Sequence, residues 1–493
     1  MKNKSFIKFL FVCFAMSAFV FSCTDLSVKE TDSEFIPATE GTPQITGAPD
    51  LLATNYNDLG AFTDQANIYS LNTHSSDEMI PPTRGVDWGD NGVWRTLHAH
   101  TWDPAHSFVN NSWNQLNERI FRCNRTLAAT DITPAIEAEA KFLRAFYMWH
   151  VLDYWGKVPF REVTEGADVD PRVLEADAAY DFILKDLQDA LPVLPNTGPS
   201  QGNVTASQAA ANAMLARLML NKEAYTGSAG DYNAIIAACD AVAADGYAID
   251  ADYYDNFNPT GTTENIFGSP AGTGQNRIFM TLHYSQNPSG WNGFTTLADF
   301  YAKFDDGDVR KSADAPVAAG EEFHGIKLGF LTGQQFQDDG VTEVIDNRTA
   351  LPLSFTPDVP LAGASTDKGY RAMKYHPSSF GDTKYVLLRY ADVLLMKAEA
   401  ELRGGTGDAT ATVNSLRAMR GAADLGSATL DDILDERGRE LYWEGIRRTD
   451  LIRFGKFTEA WSEKPASEAF RTRYPIPALA LASNPNLTQN DGY

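Results

Sequence analysis

The chain has 493 residues and a formal net charge of −24 at pH 7, with 9 Trp, 19 Tyr and 28 Phe. That length supports a large hydrophobic core and exceeds the usual single domain. A surface so acidic repels phosphate backbones and anionic head groups, which excludes a nucleic-acid function.

The first element is MKNKSFIKFLFVCFAMSAFVFSC. Lys2, Lys4 and Lys8 precede an apolar run, Phe9 to Phe21. The run is shorter than the ~20 residues a spanning helix needs. This order of basic, apolar and small residues predicts a signal peptide over 1–22. Val20, Phe21, Ser22 and Cys23 resemble the lipobox of bacterial lipoproteins, in which the cysteine is acylated and becomes the new N-terminus. Phe21 departs from the small or branched residue preferred there, and an ordinary signal peptide with a chance cysteine is the alternative. Several acyl chains on Cys23 would hold the protein to a membrane firmly. Loss of the three lysines takes the net charge to about −27. Residues 23–47, rich in Thr, Ser, Glu, Gly and Pro, read as a lipidated flexible tether.

Residues 48–247 read as a scaffold of helical hairpins. In EAKFLRAFYMWHVLDYWG, Ala138, Phe142, Ala145, Trp149 and Leu152 recur at helical spacing, and Gly156 and Pro159 end the run. AAYDFILKDLQDALPVLP, TASQAAANAMLARLMLNKEAY and DYNAIIAACDAVAADGY follow as further helices. Their alanine faces and short breaks predict antiparallel pairs in the manner of tetratricopeptide repeats. Residues 383–493 return to helix: Leu387, Ala391, Leu394, Ala398 and Leu402 share one face. In LDDILDERGRELYWEGIRRTDLIRFGKF the same periodicity predicts Glu444 paired with Arg448 and Asp450 with Arg453. Trp149, Trp155 and Trp443 read as core. Cys123 and Cys239 are open to a disulfide or to two buried thiols.

Two stretches break the pattern. Residues 74–104 (within the scaffold) and residues 248–382 are rich in Gly, Pro, Asn and Asp around isolated aromatics. In the second only TTLADFYAKF reads as helix. Loop-rich regions of that size carry function. The predicted architecture is mostly α, with tetratricopeptide-like hairpins and large irregular insertions, and 48–493 forming one unit.

The chain resembles the SusD/RagB family of outer-membrane glycan-uptake lipoproteins over nearly its whole length. The resemblance rests on the lipobox, on EAKFLRAFYMWHVLDYWGKVPF, KYVLLRYADVLLMKAEAEL and DERGRELYWEGIRRTDLIRFGKF, and on the closing YPIPALALASNPNLTQNDGY, in that order. It implies a cell-surface glycan-binding protein, lipid-anchored to the Gram-negative outer membrane. It further implies delivery of oligosaccharides to a SusC-like TonB-dependent transporter, with binding rather than hydrolysis and no cofactor.

Sugar recognition needs aromatic faces against pyranose C–H groups, and amides, carboxylates or guanidinium groups for the hydroxyls. The first irregular region offers Asp77, Glu78, Arg84, Trp88, Asn91 and Trp94; the second offers Tyr284, Asn287, Trp291 and Asn292. Of these, Asp77, Arg84, Trp88, Asn91, Trp94, Tyr284, Trp291 and Asn292 are the candidate glycan-binding residues. LHAHTWDPAH places His98 and His100 on one face if extended, with Asp103 or His106 to complete a metal site. A polar, partly buried histidine pair is the preferred reading, and no metal is expected. Asp305–Asp308 and Asp338–Asp339 lack the order of a calcium loop. No nucleophile elbow, P-loop or dinucleotide fingerprint occurs. A helical adaptor for a peptide or protein and a helical glycoside hydrolase stand as the other readings.

Overall fold

The helix Pro134–Trp155 is buried along most of its length and organises the N-terminal half. The Thr133 hydroxyl caps its first turn by accepting from the Ile136 N–H, and Pro134 supplies a preset φ. Gly156, at φ 73°, stops it in the left-handed conformation that a side chain would resist. Ser107–Leu127 packs on one side and Ala176–Ala190 on the other. Inside this layer Arg144 forks onto both carboxylate oxygens of Asp186, at 2.7 and 2.8 Å.

The computed structural model describes residues 44–166, 168–258, 264–272, 275–314, 326–375 and 384–493. The signal peptide, Cys23 and the tether as far as residue 43 lie outside the described residues. The compact unit begins at Ile45 and runs to Tyr493. Its first residues are fastened: the Ile45 carbonyl accepts from Thr130 N–H, and Asp131 accepts from the N–H groups of Gly47 and Ala48.

The hairpin layers continue through Gln208–Leu220, Tyr232–Ala244 and Tyr390–Leu402. Ala209, Ala210, Ala211, Ala213 and Ala216 are fully buried, so these helices meet through short side chains. Cys123 and Cys239 are buried free thiols on different helices.

Two expected helices are shorter than their periodicity. Leu387 lies in the strand Tyr385–Arg389, paired antiparallel with Asn265–Ser269, and the helix begins only at Tyr390. A buried two-faced strand and a buried helix turn look alike as short apolar runs. The second helix ends at Leu441; Trp443 at φ 60° and Gly445 at φ 75° turn the chain before Arg447–Arg453. The expected Glu444–Arg448 pair is therefore absent. Glu444 meets Lys374 (2.6 Å) and Arg389 (2.8 Å), while Arg448 meets Asp153 (2.9 Å). The Asp450–Arg453 pair forms at 2.7 Å.

Glu436, Arg437, Arg439 and Glu440 of the helix Leu430–Leu441 point inward, while Asp431 faces solvent. Glu440 accepts from Arg310, Arg389 and Arg420, and Glu436 from Arg310, Arg417 and Arg439, all buried. Arg437 bridges Asp392 and Asp450. Trp149, Trp155 and Trp443 are core residues. Within 248–382 the described residues hold short antiparallel strands, among them Ser312–Asp314, Lys327–Leu331 and Arg371–Met373, and TTLADFYAKF contains the single turn Ala298–Tyr301.

Candidate functional site

The fold brings the two irregular regions together. Ile80 exchanges backbone hydrogen bonds with Thr295, at 2.8 and 3.1 Å, which sets Trp88 and Trp94 beside Trp291 and Phe294. Trp88 donates its indole N–H to the Trp291 carbonyl at 3.1 Å. Its ring lies 4.7 Å from Phe294, 5.6 Å from Trp94 and 6.3 Å from Trp291, centre to centre. Gly293 makes room, because a Cβ there would stand 2.7 Å from the Trp88 ring. Trp88 itself takes φ 61°, an unusual value for a bulky residue.

Trp88 and Trp291 are half-buried, whereas Trp94 retains 5% exposure. Trp94 forms the layer beneath, its N–H given to Asp90 at 2.6 Å and its ring against Phe108, His74 and Phe294. Asn91 is exposed at φ 53° in the turn before the helix Val93–His98. Tyr284 is half-buried; the Arg348 guanidinium covers its ring at 4.2 Å and pairs with Asp87 at 2.8 Å. Burial raises the Tyr284 phenol, against the lowering effect of Arg348.

Three of the other candidates are occupied inside the protein. Arg84 is buried and donates to the carbonyls of Gly293, Ser365 and Lys368, which clamps the loop that carries Trp88. Burial lowers its guanidinium to about 10, still charged at neutral pH. Asn292 is 1% exposed; its Oδ1 accepts from Arg371 and its amide donates to Thr366. Asp77 forms a two-point ion pair with Arg447, at 2.6 and 2.8 Å. Glu78 is fully buried, its Oε2 accepting from the Trp443 N–H at 3.0 Å. Asn287 turns inward, accepting from Ser289 N–H.

The surface that remains is Trp88, Trp291, Tyr284, Arg348 and Asp87, with Val86 standing out 96% exposed. Arg348 escaped sequence reasoning, since 261 positions separate it from Asp87 and its DNRT turn carries no signal. Gly293 escaped as well, because its role depends on a ring from another loop.

The histidines are structural donors and acceptors. The segment is helical to His98, so His98 and His100 are not on one extended face. The His98 ring contacts the carbonyls of Met79 and Ser462; His100 contacts Ser467 Oγ and the Ser75 carbonyl. His106 caps Ser107–Leu127 and Asp103 caps its own turn. Among the described residues no three His, Cys, Asp or Glu are grouped to hold a metal.

Residues 240–493 match the model described as the SusD family, and residues 49–220 match one described as starch-binding, associating with outer membrane. The chain belongs to the SusD family. This SusD-family chain is 26% identical over 516 residues to the starch-binding protein SusD of Bacteroides thetaiotaomicron, covering 92% of this chain and 89% of that protein. A SusD superfamily structure from Parabacteroides distasonis superposes with TM-score 0.70 at 19% identity, covering 90% of this chain and 98% of that one. Surface glycan-binding protein A from Bacteroides thetaiotaomicron, solved with laminarihexaose, gives TM-score 0.65 at 22% identity, covering 90% and 98%. At such identities these structures establish a shared SusD fold.

Proposed function

We propose that this protein captures an oligosaccharide on the cell surface and passes it to a SusC-like TonB-dependent transporter in the outer membrane. The observation that carries the reading is the joined pair Trp88 and Trp291. Two half-buried indoles from separate loops are held in place by one hydrogen bond and flanked by Tyr284, Arg348 and Asp87. Rigid aromatic faces suit sugar rings, and a fixed guanidinium and carboxylate suit hydroxyls. Starch binding by the SusD relative and the laminarihexaose complex of the structural neighbour support a glycan as the ligand. Asn91, exposed in the adjacent turn, completes the proposed site, while Trp94, Arg84 and Asn292 hold it from below.

The reading is of binding without chemistry, followed by transport through a partner. A shallow aromatic site cannot itself move a sugar across a membrane, and among the described residues no helix is long and apolar enough to cross one. Anchoring is assigned to acylated Cys23.

An affinity-gel and calorimetric screen against a polysaccharide panel tests the ligand class. A bound glycan whose affinity falls in Trp88→Ala and Trp291→Ala supports the reading; reducing-end release from that glycan, or no binding across the panel, overturns it. Cys23→Ala should leave the outer-membrane fraction, and the tagged lipoprotein should co-purify with a β-barrel partner from mild detergent.

A further inference from the structure

A second cleft, of about 400 Å³, lies between the first turns of Leu430–Leu441, the Ala298–Tyr301 turn and the segment around Trp461. Its lining shares no residue with Trp88, Trp291, Tyr284 or Arg348. The size falls within the ~300–1,000 Å³ of small-molecule sites. One wall is the half-buried indole of Trp461, and Phe300, Leu434 and Leu451 add apolar surface. The ammonium of Lys464 sits 3.8 Å from the centre of the Trp461 ring, and a short bridge between these two residues fixes the turn. The Trp461 indole N–H has no partner among the described residues.

The charges around this wall are unequal: five carboxylates face three cations. Arg447 is matched by Asp77 at 2.6 Å and Lys303 by Asp435 at 2.6 Å. Lys456 alone serves both Asp431 (4.0 Å) and Glu459 (3.5 Å). Asp299 has no Lys or Arg beside it among the described residues; it accepts from the Ser462 hydroxyl at 2.5 Å. Lys464, held on the Trp461 ring, offsets one of the two carboxylates in excess, so one formal negative charge is left over beside the aromatic wall. An ammonium group gains a charge-assisted hydrogen bond to carboxylate, and the sugar ring that carries it gains apolar contact with the indole. A uronate or sulfate would be repelled.

We propose that this cleft is a second carbohydrate site, selective for a sugar unit that carries a free amine, with Trp461 as its stacking face and Asp299 as its ammonium acceptor. The proposal rests on the reading of the chain as a glycan-binding protein.

The test is calorimetric titration of the full lipidated chain in detergent with a glucosamine trisaccharide and with its N-acetylated counterpart. The work is done at about pH 6, below the ~7.7–8.0 of an ordinary amino group, so that the sugar amine is charged. The free-amine trisaccharide should bind at least ~10-fold more tightly than the acetylated one, and Asp299→Asn and Trp461→Ala should each remove most of that difference. Trp88→Ala should leave it unchanged. Equal affinity of the two trisaccharides, no detectable binding of either, or loss of the amine preference in Trp88→Ala overturns the proposal. Should Trp461→Ala lower the thermal midpoint, Trp461→Phe replaces it, retaining a stacking ring and the preference, and Asp299→Asn decides. Binding of the panel glycan to Trp88→Ala is read in a separate titration, so failure of the loop site and failure of this cleft are distinguishable.

Discussion

The indole N–H of Trp88 reaches the carbonyl of Trp291 across 203 positions of sequence, at 3.1 Å. Each loop therefore limits the other's freedom before any ligand arrives. Ordering entropy spent in folding is not spent again on binding.

Trp88→Ala and Trp291→Ala should each weaken oligosaccharide binding by roughly 1–3 kcal/mol, the cost of truncating a hot-spot aromatic. That corresponds to about 5- to 150-fold in affinity by calorimetry. Thermal midpoints should barely move. Trp94→Ala and Trp149→Ala should instead destabilise the fold by ~3–5 kcal/mol, since both rings are buried. A Trp94→Ala variant of normal stability that cannot bind sugar would place Trp94 in the ligand contact.

Gly293→Ala should act on the site without removing any ring. The new Cβ would sit 2.7 Å from Trp88 and 2.8 Å from the Met280 carbonyl, so the indole must shift. Glycan affinity should fall about as far as in Trp88→Ala, by roughly 1–3 kcal/mol. Unchanged affinity would show that the position of Trp88 does not matter.

Glu440→Ala should be among the most damaging single changes, because it leaves Arg310, Arg389 and Arg420 short of a buried carboxylate. Removing one partner of such a network costs ~3–5 kcal/mol in urea unfolding. Glu118→Ala, which breaks a surface pair with Arg122, should cost less than ~1 kcal/mol. Similar midpoints for the two variants would contradict the importance of the inner network.

Two buried glutamates should respond to pH with opposite signs. Burial pushes Glu78 up to about 8, from an ordinary 4.5. The folded state then holds a proton that the unfolded chain has lost, so Glu78 subtracts stability as pH rises from about 4.5 to about 8. Glu78→Gln should therefore stabilise the protein by ~1 kcal/mol or more at pH 7, and not at all near pH 4.5. Glu436 is buried too, but Arg310 and Arg439 outweigh burial and hold it down at about 2. Its contribution is present above 4.5 and is lost as pH falls toward 2. Denaturation midpoints of each variant and the parent across pH 3–9 check both signs; a Glu78→Gln difference that grows toward low pH would refute the first.

Cys123 and Cys239 should resist thiol reagents in the native protein and react once it is unfolded. Both are buried, and burial raises both thiols well above their ordinary range, which suppresses the reactive thiolate. Prompt reaction of either in native buffer would mean that its helix opens readily.

Sequence alone determined the helical scaffold and the two regions able to carry a site, because periodicity and Gly/Pro/Asn punctuation are local properties. The caps at Thr133 and Gly156 and the alanine faces of Gln208–Leu220 act within a few residues of where they are read. The identity of Trp149 and Trp155 as core followed from the same local pattern, whereas Trp443 is core beyond the helix end, held by Glu78. Only the tertiary structure decided which loop residues are free to touch a ligand. Asp77, Arg84 and Asn292 have the composition of a sugar site, yet partners hundreds of positions away occupy Asp77 and Arg84, and Arg371 holds Asn292. Arg348 and Gly293 carry no local signal and enter the site through contacts with other loops. The helix that periodicity extends through Glu444 breaks at Trp443, where Glu78, from the first irregular region, accepts the Trp443 N–H. Hydrogen bonds and ion pairs between distant segments set side-chain availability, and spacing along one chain does not encode them.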